Sequence, residues 1–309
     1  MISQTTTLIS TDTCLSFLAF LIISINSYCL VIILLSQKLH KSSNIAVSSL
    51  VFAHLIQGFF VIPLYILKRS NVQSSLVCDL YRFSYMLTNY AACLSLLIIT
   101  LDRFLHLKMP FKYRVYSTVY RMRIVLLCMW IYTLGLCLIP FANKTSNCYY
   151  NPTDVWTASM LICNTCVPFF IAITLYMMIF KKAWNVQKRK RISKNLKFTY
   201  INKSIRVFLI IFCFLICWGP SCVYYLLNSL CYSSCFNKKY HNTSIENDVT
   251  LFMKIMTFLD GIVAPLLYCV GNRSFKSASR VSTTRFKMTL KNFWKKQPLQ
   301  IEHPIDNIS

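Results

Sequence analysis

Seven uncharged or nearly uncharged stretches, each about the length of a bilayer crossing, follow one another at residues 14–36, 45–67, 79–104, 122–140, 155–180, 204–230 and 250–271. A helix needs ~20 apolar residues to cross ~30 Å of hydrocarbon at ~1.5 Å each. The first stretch reads LSFLAFLIISINSYCLVIILLS from Leu15 to Ser36, with no charge at all. A soluble domain carries roughly 25% charged residues, whereas this chain has 14%, with 56% hydrophobic residues. The expected fold is therefore an all-α membrane protein, a seven-transmembrane helix bundle. Seven spans and their loops nearly use up the 309 residues, so one membrane domain over 14–271 is expected, between an outer segment 1–13 and an inner segment 272–309.

The net charge of +24 would point to nucleic acid in a soluble chain, but its distribution points elsewhere. Of 33 Lys and Arg, 26 fall within residues 37–44, 103–123, 181–206 and the segment from 272 onward. Basic residues concentrated on alternate loops mark the cytosolic face, which places the amino end outside and the carboxyl end in the cytosol of a multi-pass plasma-membrane protein. The run Lys188-Arg189-Lys190-Arg191 then reads as a solvated loop beside anionic membrane lipid, and nucleic acid is not an expected partner. The opening residues lack the basic start of a cleavable signal peptide, so the first span is expected to serve as its own insertion signal.

Most of the fifteen cysteines lie within spans, among them Cys29, Cys93, Cys128, Cys137, Cys213 and Cys217, where they act as small apolar packing residues. Cys163 and Cys166 form a CxxC within the fifth span, where packing is the better reading than metal or redox chemistry. Five cysteines face the oxidising outer side: Cys14, Cys78, Cys148, Cys231 and Cys235. Cys231 and Cys235 can pair with each other, or one of them with Cys14, and an odd number leaves one thiol over. Asn143-Lys-Thr and Asn242-Thr-Ser are sequons on outer loops and candidate glycan sites. No nucleophile–base pairing, phosphate loop or metal cluster lies on an aqueous face, so neither an enzyme nor a cofactor is expected.

Single residues along the spans carry a resemblance. Asn26 stands in span one. Span two gives Ser49-Leu50-Val51-Phe52-Ala53-His54, similar to SLAxAD, with Pro63 nine residues on. Asp102-Arg103-Phe104 resembles DRY. Trp130 and Pro140 mark span four, and Pro168 and Tyr176 mark span five. Phe214-xx-Cys217-Trp218-Gly219-Pro220 resembles FxxCWxP, and Ala264-Pro265-Leu266-Leu267-Tyr268 resembles NPxxY. Asn272-Arg273-Ser274-Phe275-Lys276 resembles a short amphipathic eighth helix along the inner membrane face. In order and spacing these residues are similar to those of the rhodopsin-like (class A) G-protein-coupled receptors, over essentially all seven spans.

The resemblance implies a disulfide from Cys78, twenty-five residues before Arg103, to Cys148. It implies a switch and coupling set of Asp102, Arg103, Tyr176, Phe214, Trp218, Pro220, Pro265 and Tyr268. Proline bends the helices, and a bent helix swings its inner half as a two-state device. Asp102 and Arg103 are expected to restrain the resting state as a pair. Many members add an acid at the foot of span six, where this chain has Tyr200 and no Asp or Glu from 181 to 206. A loose latch and appreciable basal signalling follow. Partners implied are an extracellular ligand, a heterotrimeric G protein, arrestin and a receptor kinase; Ser277, Ser279, Ser282, Thr283, Thr284 and Thr289 are candidate phosphoacceptors.

Two departures matter. The family's span-two Asp is His54 and its NPxxY Asn is Ala264, while Asp260 stands five residues before Pro265. Asn26, His54 and Asp260 are thus expected to share a mid-membrane polar pocket, with a His54–Asp260 pair replacing carboxylate plus sodium. Eighteen residues before Arg103, where aminergic receptors carry Asp, this chain has Tyr85; seven before Pro265, where opsins carry the retinal lysine, it has Phe258. By family position the ligand pocket comprises Tyr85, Met86, Asn89, Asn164, Trp218, Cys222, Tyr225 and Lys254. Lys254 either faces the cavity or snorkels outward. That set suits a peptide slightly ahead of a lipid or a neutral small molecule, and disfavours amines. The alternatives are a non-signalling receptor-like scaffold or scavenger, for which Phe104 and Ala264 leave room, and a small transporter or channel, which internal repeats would favour and this sequence lacks.

Overall fold

The computed structural model describes residues 2–70, 74–142, 159–188, 209, 212–227 and 244–296. The helices are α1 (Ile2–Leu35), α2 (Ser42–Arg69), α3 (Ser75–Lys108), α4 (Pro110–Tyr116), α5 (Val119–Ala142), α6 (159–188), α7 (Phe212–Leu227), α8 (Ser244–Gly271) and α9 (Arg273–Lys296). Six of them are long and apolar enough to cross a membrane, and α7 is a shorter apolar helix of the same kind. Among the described residues there is no strand.

Lipid as solvent explains the surface. Phe17, Phe20, Leu35, Phe60, Leu127, Ile131 and Phe170 are all more than half exposed, an arrangement that would drive aggregation in water. A helix in hydrocarbon bonds its own backbone groups, and its hydroxyls do likewise. Thr13, Ser16 and Ser24 each donate to the carbonyl four residues back. That back-bonding gives these three hydroxyls of α1 a partner within their own helix.

The central element is α3, the most buried of the spans. Ser49 and Ser95 oxygens lie 3.0 Å apart, and the Trp130 indole donates to Ser49 at 3.0 Å, tying α2, α3 and α5 together. Two of the proline sites are built alike. A π turn at Gln57–Val61 stands just before Pro63, and another at Ile162–Cys166 just before Pro168. Proline lacks an N–H and clashes with the carbonyl four residues back; a π turn widens the helix there and relieves the clash. In the second turn the Cys93 thiol donates to the Thr165 carbonyl at 3.6 Å. Pro265 sits inside α8.

Glycine sets one close approach. A Cβ on Gly58 would lie 2.8 Å from Ile23 Cγ1, and one on Gly261 would lie 3.0 Å from Gln57 Oε1. Their absence lets α1, α2 and α8 converge around Asn26. Asn272 Oδ1 accepts from the backbone N–H of Ser274 and Phe275 and caps α9. Phe275 and Ala278 turn inward, and α9 continues to Lys296, well past the short segment expected. The paired thiols Cys29 and Cys269, with sulfurs 2.7 Å apart, join α1 to α8.

Candidate functional site

The outer half of the bundle gathers aromatic rings around one cation. Tyr81 and Tyr85 stand one turn apart on α3 and stack at 5.6 Å; Tyr65 of α2 stacks on Tyr81 at 5.6 Å. Lys254 of α8 reaches into this group, with its Nζ 3.4 Å from the Tyr85 ring centre, 5.1 Å from Tyr225 of α7 and 5.8 Å from Tyr81. The side chain does not snorkel: Lys254 is 7% exposed. Cation–π contact contributes about 2 kcal/mol for a desolvated cation, against a desolvation cost of several kcal/mol per ion. No carboxylate among the described residues pairs with it.

The other expected pocket residues divide. Asn89, buried, and Thr257 lie against the Tyr85 hydroxyl. Trp218 lies deeper, at the level of Asp260. Met86 packs instead with Leu87, Tyr90 and Cys137 on the side facing α5. Asn164 Oδ1 accepts from the Tyr132 hydroxyl at 2.8 Å and its Nδ2 donates to Met160, so it braces α5 against α6. Cys222 is in contact with Cys166. Sequence reasoning missed Tyr81 and Tyr65; the signal for Tyr81 was its spacing of four from Tyr85, which puts both on one helix face.

Beneath this cluster lies the polar pocket. Asn26 Nδ2 donates to the carbonyls of Ile22 and Gly261, both at 2.8 Å. His54 Nε2 stands 3.8 Å from Asp260 Oδ2, and the Trp218 indole N–H donates to that same oxygen at 3.4 Å. His54 Nδ1 is 3.3 Å from Gln57 Oε1, and Gln57 Nε2 donates to the Thr257 carbonyl. Gln57 is a member that sequence reasoning did not include. Asp260 Oδ1, His54 Nε2 and Asn26 Oδ1 are buried without a hydrogen-bond partner among the described residues.

Trp218 also begins an aromatic column. It stacks on Phe214 at 5.4 Å, and Phe214 faces Phe169 of α6 at 5.6 Å. Phe169 packs in turn on the buried Tyr176. Pro220 lies six residues beyond Phe214 on α7, nearly two turns, and is exposed.

At the inner end the carboxylate and guanidinium of Asp102-Arg103 are neighbours in sequence, yet no ion pair joins them among the described residues. Asp102 is 4% exposed. Its Oδ1 accepts from the hydroxyls of Tyr113 at 2.8 Å, Ser117 at 3.1 Å and Ser42 at 3.4 Å. Burial, reinforced by the adjoining Asp102 charge, pushes the Tyr113 phenol up to about 12, so it remains a donor at neutral pH. Arg103 lines a cavity of about 470 Å³, together with Lys41, His106, Tyr268 and Asn272. The Tyr268 hydroxyl donates to Asn44 Oδ1 at 3.0 Å across it. Tyr200, Cys148, Asn143 and Asn242 lie outside the described residues; Cys78 is disulfide-bonded.

Known proteins carry the same pattern. The family described as "7 transmembrane receptor (rhodopsin family)" matches residues 25–268. An octopamine receptor beta-2R of Chilo suppressalis is 23% identical over 301 residues, covering 82% of this chain and 74% of its own length. A histamine H2 receptor of Cavia porcellus is 24% identical over 263 residues, covering 79% and 71%. An allatostatin-A receptor of Bombyx mori is 19% identical over 275 residues, covering 82% and 74%. With the match spanning most of the bundle just described, the chain belongs to the rhodopsin family of seven-transmembrane receptors and is a receptor, not an enzyme.

Proposed function

We propose that this receptor binds an extracellular ligand between α3, α7 and α8 and activates a heterotrimeric G protein by swinging the inner half of α7. The observation that carries the reading is the column from Trp218 through Phe214 to Phe169. It begins at the Asp260 carboxylate, below the Lys254 cluster, and ends against Tyr176 in α6. A ligand that displaces Trp218 moves a ring on α7 and its neighbour on α6 together, which biases a two-state bundle. In this reading residues 1–13 are extracellular, 14–271 form the receptor domain and 272–309 are cytoplasmic, in a plasma-membrane protein with arrestin and a receptor kinase as further partners.

Relatives named for octopamine and histamine bind amines by those names. That chemistry does not transfer here, because Tyr85 and a buried cation occupy the outer cluster. A peptide ligand remains ahead of a lipid or a neutral small molecule. The test exposes cells expressing the chain to panels of peptides, lipids and nucleotides and reads G-protein activation. Activation by a panel member that disappears in Arg103→Ala supports the proposal. Substrate-dependent current or flux in place of G-protein turnover contradicts it. Saturable binding of a panel member at good surface expression, with no turnover, assigns the chain to the scaffold reading that Phe104 and Ala264 allow.

A further inference from the structure

We infer that the ligand of the outer cluster presents a carboxylate, and that Lys254 Nζ and the Tyr81 hydroxyl receive it. The inference rests on the receptor reading above and specifies its ligand. Lys254 is an ammonium held inside the bundle with three hydrogen-bond donors and no acceptor of its own. Its neighbours among the described residues are ring faces, which attract a cation but accept no directed hydrogen bond of ordinary strength. The Tyr81 hydroxyl, in the same cluster, is buried without a hydrogen-bond partner among the described residues. Among the described residues the site therefore holds a buried hydroxyl with no hydrogen-bond partner and an amine with no counter-charge, which an incoming carboxylate would hold in its ammonium form.

The chemistry of the occupant follows by complement. An amine would bring a second positive charge against Lys254 and would offer donors where acceptors are needed. An amide or alcohol offers an acceptor but leaves the charge uncompensated. A carboxylate supplies two acceptor oxygens and the opposite charge, and charge-assisted bonds of this kind are the stronger class. One buried ammonium balances a monoanion. Asp260 lies six residues further along α8 and is engaged with Trp218 and His54. Lys68 of α2 stands over the Tyr81 ring at 5.3 Å, adding positive potential that draws an anion toward the cluster. Two sources present a carboxylate, a peptide with a free carboxyl terminus or acidic side chain, and a small aryl acid.

The test uses the whole receptor in lipid nanodiscs and reads thermal stabilisation. Probes are 3-phenylpropanoate and indole-3-acetate, their primary amides, phenethylamine and tryptamine. A short-peptide library is used with free and with amidated carboxyl termini. Carboxylates stabilise the wild type, whereas amides and amines do not; the two peptide arms distinguish a peptide source from a small acid. Lys254→Met raises the melting temperature of the unliganded receptor, since an uncompensated charge is removed. It also weakens the carboxylates by about 10- to 150-fold, the value of a hydrogen bond to a charged group. Lys254→Arg keeps the charge but changes its shape, and it should retain more of the carboxylate effect than Lys254→Met does. Tyr81→Phe weakens carboxylates alone, by about 10-fold or more, since this bond too has a charged acceptor.

Equal stabilisation by amides or amines would overturn the inference. So would the absence of stabilisation by every carboxylate, or a carboxylate effect that survives Lys254→Met. A lower melting temperature or loss of surface expression in Lys254→Met, with Lys254→Arg intact, overturns it too, since the ammonium would then serve the fold. Nucleotide exchange on G protein is read from the same nanodiscs. Carboxylate binding without exchange contradicts the receptor reading and leaves the ligand class standing; exchange driven by amines does the reverse.

Discussion

The outer cluster and the inner cluster bury opposite charges and solve the problem differently. Asp102 at the inner end has three hydroxyl donors on one oxygen, from α2, α4 and the turn after α4, while its other oxygen is buried without a hydrogen-bond partner among the described residues. Lys254 at the outer end has rings and no counter-charge among the described residues. A buried charge whose hydrogen bonds are made by the protein stabilises the fold it sits in. A buried charge left incomplete costs stability, and such cost is commonly tolerated where binding recovers it. The two ends thus differ in what the protein itself supplies: hydroxyl donors fasten the turn after α4 to α3 through Asp102, whereas Lys254 meets rings alone among the described residues. Between them, His54 and Asp260 form an intermediate case, close enough to attract at 3.8 Å yet with buried polar atoms unbonded.

The largest effect should come from the middle pocket. Asp260→Ala strands the Trp218 N–H and His54, and thermal or denaturant unfolding in detergent should report a loss of about 3 kcal/mol, the cost of breaking one side of a buried pair. The double variant His54→Leu/Asp260→Leu should recover most of it, and a further loss would mean that the two residues act separately. Next comes the inner carboxylate. Asp102→Asn removes a charged acceptor and should cost about 2 kcal/mol, opposite in sign to the effect of removing the Lys254 charge. Stabilisation by Asp102→Asn would erase the contrast between the two ends.

Tyr113→Phe should cost about 1 kcal/mol and should not add to Asp102→Asn in a double-mutant cycle. The same phenol sets an alkaline limit. Its folded value is raised from 10.0 to about 12, so the folded state holds this proton more tightly than the unfolded chain does. Its contribution is fully present below pH ~10 and is lost as pH rises toward ~12. Unfolding curves of wild type should steepen downward in that window, and those of Tyr113→Phe should do so less. The smallest effect concerns sodium. With His54 in the place of the family's carboxylate, replacing sodium by N-methylglucamine should leave the affinity of any stabilising probe unchanged. A several-fold sodium effect would show that Asp260 holds the ion without a second acid.

Much of this was legible in the residues. Seven apolar runs set the number of crossings, and Pro168, Pro220 and Pro265 lie within helices as expected. The π turns before Pro63 and Pro168 were not legible, because a widened turn depends on neighbours such as Cys93 that sequence does not place. The Asp102–Arg103 pair was expected from the family resemblance and from adjacency, but consecutive residues on a helix do not face each other, and no ion pair joins them among the described residues. The partners came instead from Ser42, Tyr113 and Ser117, up to sixty residues away in the chain. Lys254 was equally able to point outward until Tyr81, Tyr85 and Tyr225 were brought around it by three different contacts. Local periodicity sets which face a residue occupies; the partner across the bundle decides what that face does.

The central claim is that Arg103, unpaired with Asp102 and lining the inner cavity, serves a cytosolic G protein. Nucleotide exchange on purified heterotrimeric G proteins, measured with wild-type and Arg103→Ala receptor at matched amounts in nanodiscs, tests it without a ligand. The loose latch predicts exchange above empty nanodiscs for wild type and background exchange for Arg103→Ala. Background exchange by the wild type with every G-protein class, or equal exchange by the two proteins, would contradict it.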